Sequence, residues 1–403
     1  MVFSKSFIPY GMYWSTPFCK WQGSFAHLHP IPFAADVAKG AMAKRNLDPK
    51  ALDSIVCGIT IPQKHIFYGG PWVASLLGAE HITGPMIGQA CSTGAKCVEL
   101  ASYEVEMENS GTVLVLTTDK TSNGPHMYFP QPHAPGATGD SENWVWDNFG
   151  YDPWAKNAMI QTAENVAKEA GISKEEQDEV ALLRYQQYQD ALKDDAAFLR
   201  RYMDLPMEVK DAKGRKVLKT LEGDEGVFPS TPEGLAKLRP MLPEGTVTFG
   251  SQTFPADGNA SLVVSTRDRA QELSTDKNIE VQVISFAQAN TKKGFMAMAI
   301  VPAAKKALER AGIGIKDLKV IKTHNPFAVN DVYMARELGL KAEDVNNYGS
   351  SLVWGHPQGS TATRLIIEVI EELALKGGGY GMFDGCAAGD TGAALILKVD
   401  VRS

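Results

Sequence analysis

The sequence has no run of about 18 or more apolar residues, which argues against a membrane-spanning helix. It opens Met1-Val2-Phe3-Ser4-Lys5, without the charged and apolar regions of a secretory signal. Positive charge is not in excess: 40 Lys and Arg face 47 Asp and Glu, a net charge of −7. That balance argues against a surface built for nucleic acid, while a local basic patch for an anionic ligand stays compatible with it. Cysteine is scarce. The five are Cys19, Cys57, Cys91, Cys97 and Cys386, odd in number and widely spaced. They form neither a disulfide framework nor a CxxC metal pair, so no bound metal is expected. A reducing cytoplasmic setting follows, in which each cysteine either packs or reacts.

What is present is globular in kind. The chain is 44% hydrophobic and 22% charged. With 403 residues it is too long for one small domain and suits two or three packed units, or a duplicated one. Ala34–Ala43 has helical spacing, and Leu52–Ile59 reads as a strand ended by Pro62. Cys91 precedes a helix expected over about Ser92–Glu108, and Thr112–Thr118 reads as a buried strand. Strand–helix alternation resumes from Val281 to Val399, with no short-period repeat. The expected class is α/β with a largely parallel sheet. Residues 121–245 differ. They hold a Pro/Gly/His-rich stretch, an aromatic cluster (Trp144, Trp146, Phe149, Tyr151, Trp154) and helices expected over Ala158–Ala170 and Lys174–Phe198. This segment reads as an insertion covering a site. The division expected is 1–120 completed by 246–275, an insertion over 121–245, and a second half over 276–403.

Five motifs occur in order. They are Ala90-Cys91-Ser92-Thr93-Gly94; Thr162-Ala163-Glu164-Asn165; Leu235–Pro240 leading to Asp257-Gly258; Gly355-His356-Pro357-Gln358-Gly359 after Asn347 and Gly349; and Cys386 with Gly389-Asp390-Thr391-Gly392. Together they resemble the thiolase family over nearly the whole chain. The resemblance implies the thiolase fold: two duplicated α-β-α-β-α layered halves with a loop-domain insertion in the first. It also implies an acyltransferase that breaks or makes a carbon–carbon bond in a 3-oxoacyl-CoA, as in β-oxidation.

The residue types suit that chemistry. A helix N-terminus just after Cys91 favours a thiolate, the nucleophile a thioester or ketone needs. Cys97, on the same helix, reads as core packing. By resemblance His356 takes the proton of Cys91 and helps hold the thioester oxygen. Cys386 is then the acid–base residue for the α-carbon or the incoming CoA thiol. His324 stands where many thiolases have Asn, and where the sterol-carrier-protein-linked and archaeal types have the His of a His-x-x-Phe motif. It would bind the enolate oxygen. Asn325 takes the acidic position of that motif, and a one-residue shift would make Asn325 the functional amide. The N–H groups of Cys91 and Ala388 are the implied oxyanion donors.

Met159, Phe249, Thr253 and Phe327 match positions on the CoA channel; plain core packing is the alternative for Met159 and Phe249. Lys210, Lys213, Arg215, Lys216 and Lys219 are the basic residues expected to meet the CoA phosphates, or else a solvated face. The aromatic cluster suggests a bulky or aromatic acyl group, for example benzoylsuccinyl-CoA, or else lid packing. CoA is expected as substrate, with no permanently bound cofactor. A homodimer or homotetramer is implied, and some relatives work beside a small zinc-ribbon/OB-fold protein. Two rivals are a ketoacyl synthase-like condensing enzyme, against which Cys386 argues, and a catalytically weak acyl-CoA- or lipid-binding protein.

Overall fold

Alternation along single strands decides how the chain is layered. In the strand Thr112–Lys120, Val113 and Val115 pack into one hydrophobic cluster while Leu114 and Leu116 pack into another. Both faces of the strand are therefore buried, as its continuous apolar run requires. A computed structural model describes residues 2–402.

In chain order the first strands are β1 (Tyr13–Ser15), β2 (Cys19–Lys20), β3 (Ser54–Gly58), β4 (Met86–Ile87) and β5 (Thr112–Lys120). Two hairpins follow, β6 (His126–Phe129) with β7 (Asp140–Asn143) and β8 (Met207–Lys210) with β9 (Val217–Leu221). The remaining strands are β10 (Ala256–Ser265), β11 (Ile279–Asn290), β12 (Leu318–His324), β13 (Gly379–Ala387) and β14 (Thr391–Val401). One sheet runs β1-β10-β5-β3-β4, with β2 also paired to β10; the other runs β11-β14-β13-β12.

The two sheets share a plan. Along β1-β10-β5-β3 the pairings are antiparallel, antiparallel and parallel, and along β11-β14-β13-β12 they are the same. The sheets are thus mixed, and the expectation of a largely parallel sheet is corrected. Apolar runs reveal that a strand is buried on both faces, but carry no sign of its direction.

Between the sheets lie the helices Thr93–Glu106 and Gln358–Leu375. Gly94 lets them approach: a Cβ there would sit 2.6 Å from the backbone N of Thr363 and 3.1 Å from the carbonyl of Gly359. Outside the first sheet pack Pro30–Lys44 and Gly69–Leu77; outside the second pack Ile300–Ala311 and Ala328–Leu338. The helix Gln358–Leu375 is buried on every side up to Leu373, so its charged residues must be paired. Arg364 donates to Glu368 and to both oxygens of Asp224, and Lys322 of β12 pairs with Glu372 at 2.9 Å.

Residues 121–245 add no strand to either large sheet. Their helix Met159–Ala170 packs on the outer layer of the second sheet. The helix expected over Lys174–Phe198 stops at Ala191, because Asp194, Asp195 and Ala196 take left-handed conformations (φ 52°, 59° and 56°). Among the described residues no helix is long and apolar enough to cross a membrane.

Candidate active site

Cys91 is held on a sharp bend. Ala90 has φ +43°, a left-handed turn that costs a residue with a Cβ roughly 1–2 kcal/mol. Thr93 clamps the bend: its Oγ1 accepts from Gln89 N at 2.7 Å and donates to the Ala90 carbonyl at 2.7 Å. The chain then enters the helix at Thr93.

His356 arrives from the other half. Gly355, at φ +90°, lies so close to Phe254 that an added Cβ would come within 2.7 Å of its ring. The His356 N–H donates to the Phe254 carbonyl at 2.9 Å, and Pro357 opens the helix Gln358–Leu375. Asp119, buried at the end of β5, joins the halves. It accepts from Thr60 N (2.8 Å), Ile61 N (3.0 Å), Thr60 Oγ1 (2.6 Å) and Gly359 N (2.5 Å). Burial pushes its carboxyl up to about 6, with those donors opposing.

His324 ends β12. Its ring stacks on that of His356 with centroids 3.9 Å apart and planes 26° from parallel. The Cys91 sulfur and one nitrogen of each imidazole lie within 4.8 Å of one another. Each Nδ1 meets a hydroxyl, Ser351 Oγ at 2.8 Å for His324 and Thr361 Oγ1 at 2.7 Å for His356. Each Nε2 is buried and unpartnered. Asn325 points elsewhere: its amide nitrogen donates to Asp331 at 2.7 Å, and its amide oxygen faces Ser351 and the N–H of Leu352. Asp331 in turn pairs with buried Arg184 at 2.8 Å. A carboxylate at position 325 would face that of Asp331, so an amide is the compatible group. His324, not Asn325, stands beside His356 and Cys91.

Burial sets the protonation states. It pushes the Cys91 thiol up to about 12, while the N–H groups of Ala388 and of Cys91 itself act the other way. The donors at the helix N-terminus favour a thiolate, as expected, and desolvation opposes them. Burial lowers His356 to about 3, and lowers His324 well below its ordinary value with help from His356. Both rings are neutral. Cys386 lies at the end of β13. Burial first, and then the Cys91 sulfur, push its thiol well up, and Asn330 opposes by donating from Nδ2 at 3.3 Å.

The His356 shift has a measurable consequence. A ring held neutral contributes stability that is complete above about pH 6.5 and is lost as pH falls toward about 3, because the unfolded chain then takes a proton that the native one refuses. The slope is about 1.4 kcal/mol per pH unit for one such ring. In His356→Gln, denaturant titrations between about pH 6 and pH 4 should lose stability less steeply than wild type by that amount.

A cavity of about 1390 Å³ opens over Cys91, His356 and Ala388. Met159, Phe249, Thr253 and Phe327 all line it. Phe249 is 70% exposed, so its ring stands in the cavity and is not core. Trp144, Trp146, Phe149 and Tyr151 line it too; Trp154 does not, and carries Lys293 over its ring. His324 and Cys386 sit behind the lining. Lys210, Lys213, Arg215, Lys216 and Lys219 line no part of it. They belong to the β8–β9 hairpin, where Lys219 pairs with Glu225 at 2.5 Å. Sequence reading missed Asn330, Ser351, Thr361 and Asp119. Only Thr361, in the first turn of the helix that follows His356, carried a spacing that could have flagged it.

The fold and the cysteine–histidine cluster define an acyl-transferring enzyme class. The family patterns described as "Thiolase, N-terminal domain" and "Thiolase, C-terminal domain" match residues 14–268 and 277–399. The chain belongs to the thiolase family and is an acyltransferase. It is 26% identical to the mitochondrial 3-ketoacyl-CoA thiolase of Homo sapiens, covering 95% of this chain and 96% of that one. It is 28% identical to the acetyl-CoA acetyltransferase of Escherichia coli (strain K12), covering 93% and 95%. The crystal structure of human mitochondrial 3-ketoacyl-CoA thiolase in complex with CoA superposes with a TM-score of 0.88 at 25% identity, covering 99% of both chains. The Bacillus anthracis acetyl-CoA acetyltransferase gives 0.89 at 25% identity, with the same coverage.

Proposed function

We propose that this enzyme cleaves a 3-oxoacyl-CoA with CoA, or runs the reverse Claisen condensation, through an acyl thioester on Cys91. The supporting observation is the cluster itself: the Cys91 sulfur and two neutral imidazoles lie within 4.8 Å, beneath the cavity. With the thiol near 12 and His356 near 3, a free thiolate–imidazolium pair is disfavoured. Proton transfer from Cys91 Sγ to His356 Nε2 is therefore coupled to attack of the sulfur on the keto carbon.

The Cα–C bond then breaks, and its electron pair leaves as the enolate of the shorter acyl-CoA. Cys386 gives that α-carbon a proton. CoA enters, Cys386 takes back the CoA thiol proton, and the CoA sulfur displaces Cys91, which recovers its proton from His356. The N–H groups of Cys91 and Ala388 already converge on the Cys91 sulfur, which suits them to the oxyanion of the acyl-enzyme. Asn330 holds Cys386 in place from the helix Ala328–Leu338. CoA thus acts as substrate, a reading supported by the human 3-ketoacyl-CoA thiolase, whose crystal structure is a complex with CoA.

The acyl group is proposed to be bulky and apolar, an aryl-3-oxoacyl-CoA of the benzoylsuccinyl type. Phe249, Phe254, Phe228, Trp144 and Phe149 ring the cavity, an apolar and aromatic lining of the kind that receives bulky apolar groups. Incubation with 3-oxoacyl-CoA and CoA, with mass spectrometry of Cys91, tests the chemistry: thioester loss and an acyl adduct are expected. Neither appearing would favour an acyl-CoA-binding protein instead. Across a substrate panel, kcat/KM for aryl over acetoacetyl substrates is expected to be at least about 10-fold higher. Phe249→Ala should reduce that ratio by about 10-fold. Preference for acetoacetyl-CoA in the wild type would end the bulky-substrate reading.

A further inference from the structure

Two chemically alike rings stacked in one site invite the question of what distinguishes them. The answer lies in hydroxyl protons on the far side. Each neutral imidazole carries one proton, and the partner of Nδ1 decides where it sits.

For His356 the partner is Thr361 Oγ1 at 2.7 Å. That hydroxyl has a second outlet, the Pro357 carbonyl at 2.8 Å, well within the ordinary range for O–H···O. If Thr361 donates there, the ring's Nδ1–H can donate to Thr361, and two hydrogen bonds form. If Thr361 donates to Nδ1 instead, only one forms. The first arrangement leaves Nε2 of His356 with a bare lone pair.

For His324 the partner is Ser351 Oγ at 2.8 Å. Here the hydroxyl's alternative acceptor is Asn325 Oδ1 at 3.3 Å, beyond the ordinary range for O–H···O. The orientation of that amide is fixed, since its nitrogen donates to Asp331 at 2.7 Å. The backbone N–H of Asn325 also points at Ser351 Oγ, at 3.3 Å, and draws on its lone pairs. The Ser351 proton therefore goes to His324 Nδ1, and the ring's own proton sits on Nε2.

We propose that Thr361 and Ser351 hold the stacked imidazoles in opposite tautomers, His356 with a lone pair at Nε2 and His324 with a proton there. His356 is then a ready base for the Cys91 thiol, and His324 a ready donor to charge that develops beside it. Both Nε2 atoms are buried and unpartnered, as groups reserved for reacting atoms would be. Thr361 and Ser351 are positioning residues, since they act through the rings. Arg184, Asp331 and Asn325 extend the Ser351 side by fixing the amide.

This assignment rests on the proposed thiolase chemistry for its meaning, but not for its measurement. Neutron diffraction from deuterium-exchanged crystals of the full chain reads the protons directly: a deuteron on Nδ1 of His356 and on Nε2 of His324 is expected. The same atom deuterated in both rings would overturn the proposal. Kinetics supply the second arm. Thr361→Val should slow alkylation of Cys91 by iodoacetamide about 10- to 100-fold, and Thr361→Ser should restore it. Ser351→Ala should leave that alkylation within about 2-fold but lower kcat about 10- to 100-fold with KM little changed, and Ser351→Thr should recover most of the loss. Equal effects of both variants on alkylation, or no effect of either, would also sink the idea. If the wild type alkylates normally and shows the two tautomers yet turns over no 3-oxoacyl-CoA, the functional reading fails and the tautomer assignment stands.

Discussion

Cys91→Ala is expected to abolish turnover, with kcat falling by at least about 10⁴-fold and no acyl adduct forming on the protein. The sulfur is the group on which the N–H groups of Cys91 and Ala388 converge, and the one His356 can relieve of a proton. No other cysteine can stand in. Cys97 is buried in the core against Gly58, and Cys386 sits behind the cavity lining. Binding of acyl-CoA should survive in this variant, because the cavity walls are untouched. Isothermal titration with a 3-oxoacyl-CoA gives that control, and a steady-state assay with the same substrate gives the loss. Residual activity within about 100-fold of wild type would mean that catalysis does not pass through this sulfur.

The second large effect concerns stability. Asp224→Ala is expected to destabilise the chain by about 3–5 kcal/mol, because it removes one of the two carboxylates that pair a buried guanidinium. Arg364 is fully buried and donates to Asp224 at 2.7 and 2.9 Å. Its Nε goes to Glu368 at 3.0 Å, and its plane lies over Trp354 at 4.0 Å. Asp224 also accepts from Phe18 N at 2.7 Å and Tyr188 Oη at 3.0 Å, so the lost carboxylate leaves three partners short. The denaturant midpoint should fall while the m-value stays constant. Adding Arg364→Met should recover much of the loss, since an apolar side chain needs no counter-charge. Non-recovery would show that the lost bonds to Phe18 and Tyr188, or the Glu368 carboxylate deprived of Arg364, dominate over the under-paired cation.

Local pattern carried a good part of this structure. The helices Met159–Ala170 and Thr93–Glu106 and the strands β3 and β5 lie within a residue or two of their expected spans, because periodicity and glycine stops are local signals. Strand direction was not legible, since it depends on partners up to about a hundred residues or more away. The end of the helix at Ala191 was hidden as well. Asp194-Asp195-Ala196 contains no glycine or proline to announce a left-handed turn.

At the site, Cys91, His356 and Cys386 stood out because motif residues flank them. Asn330 and Ser351 did not. Each is one polar residue in an otherwise unremarked stretch, and its partner lies 56 or 27 residues along the chain. The burial of Cys91 was not legible for a related reason. A helix terminus can be read from a string of letters, whereas the depth of burial that opposes it cannot.

The close passage of the two central helices at Gly94 has a bearing on how function would fail. One helix follows the nucleophile and the other follows its base, so neither repeat owns a working site. Mild denaturant or pressure that merely loosens their seating should silence turnover before circular dichroism registers any loss of helix. Catalysis would then serve as a gauge of docking between the repeats, more sensitive than any spectroscopic measure of folding.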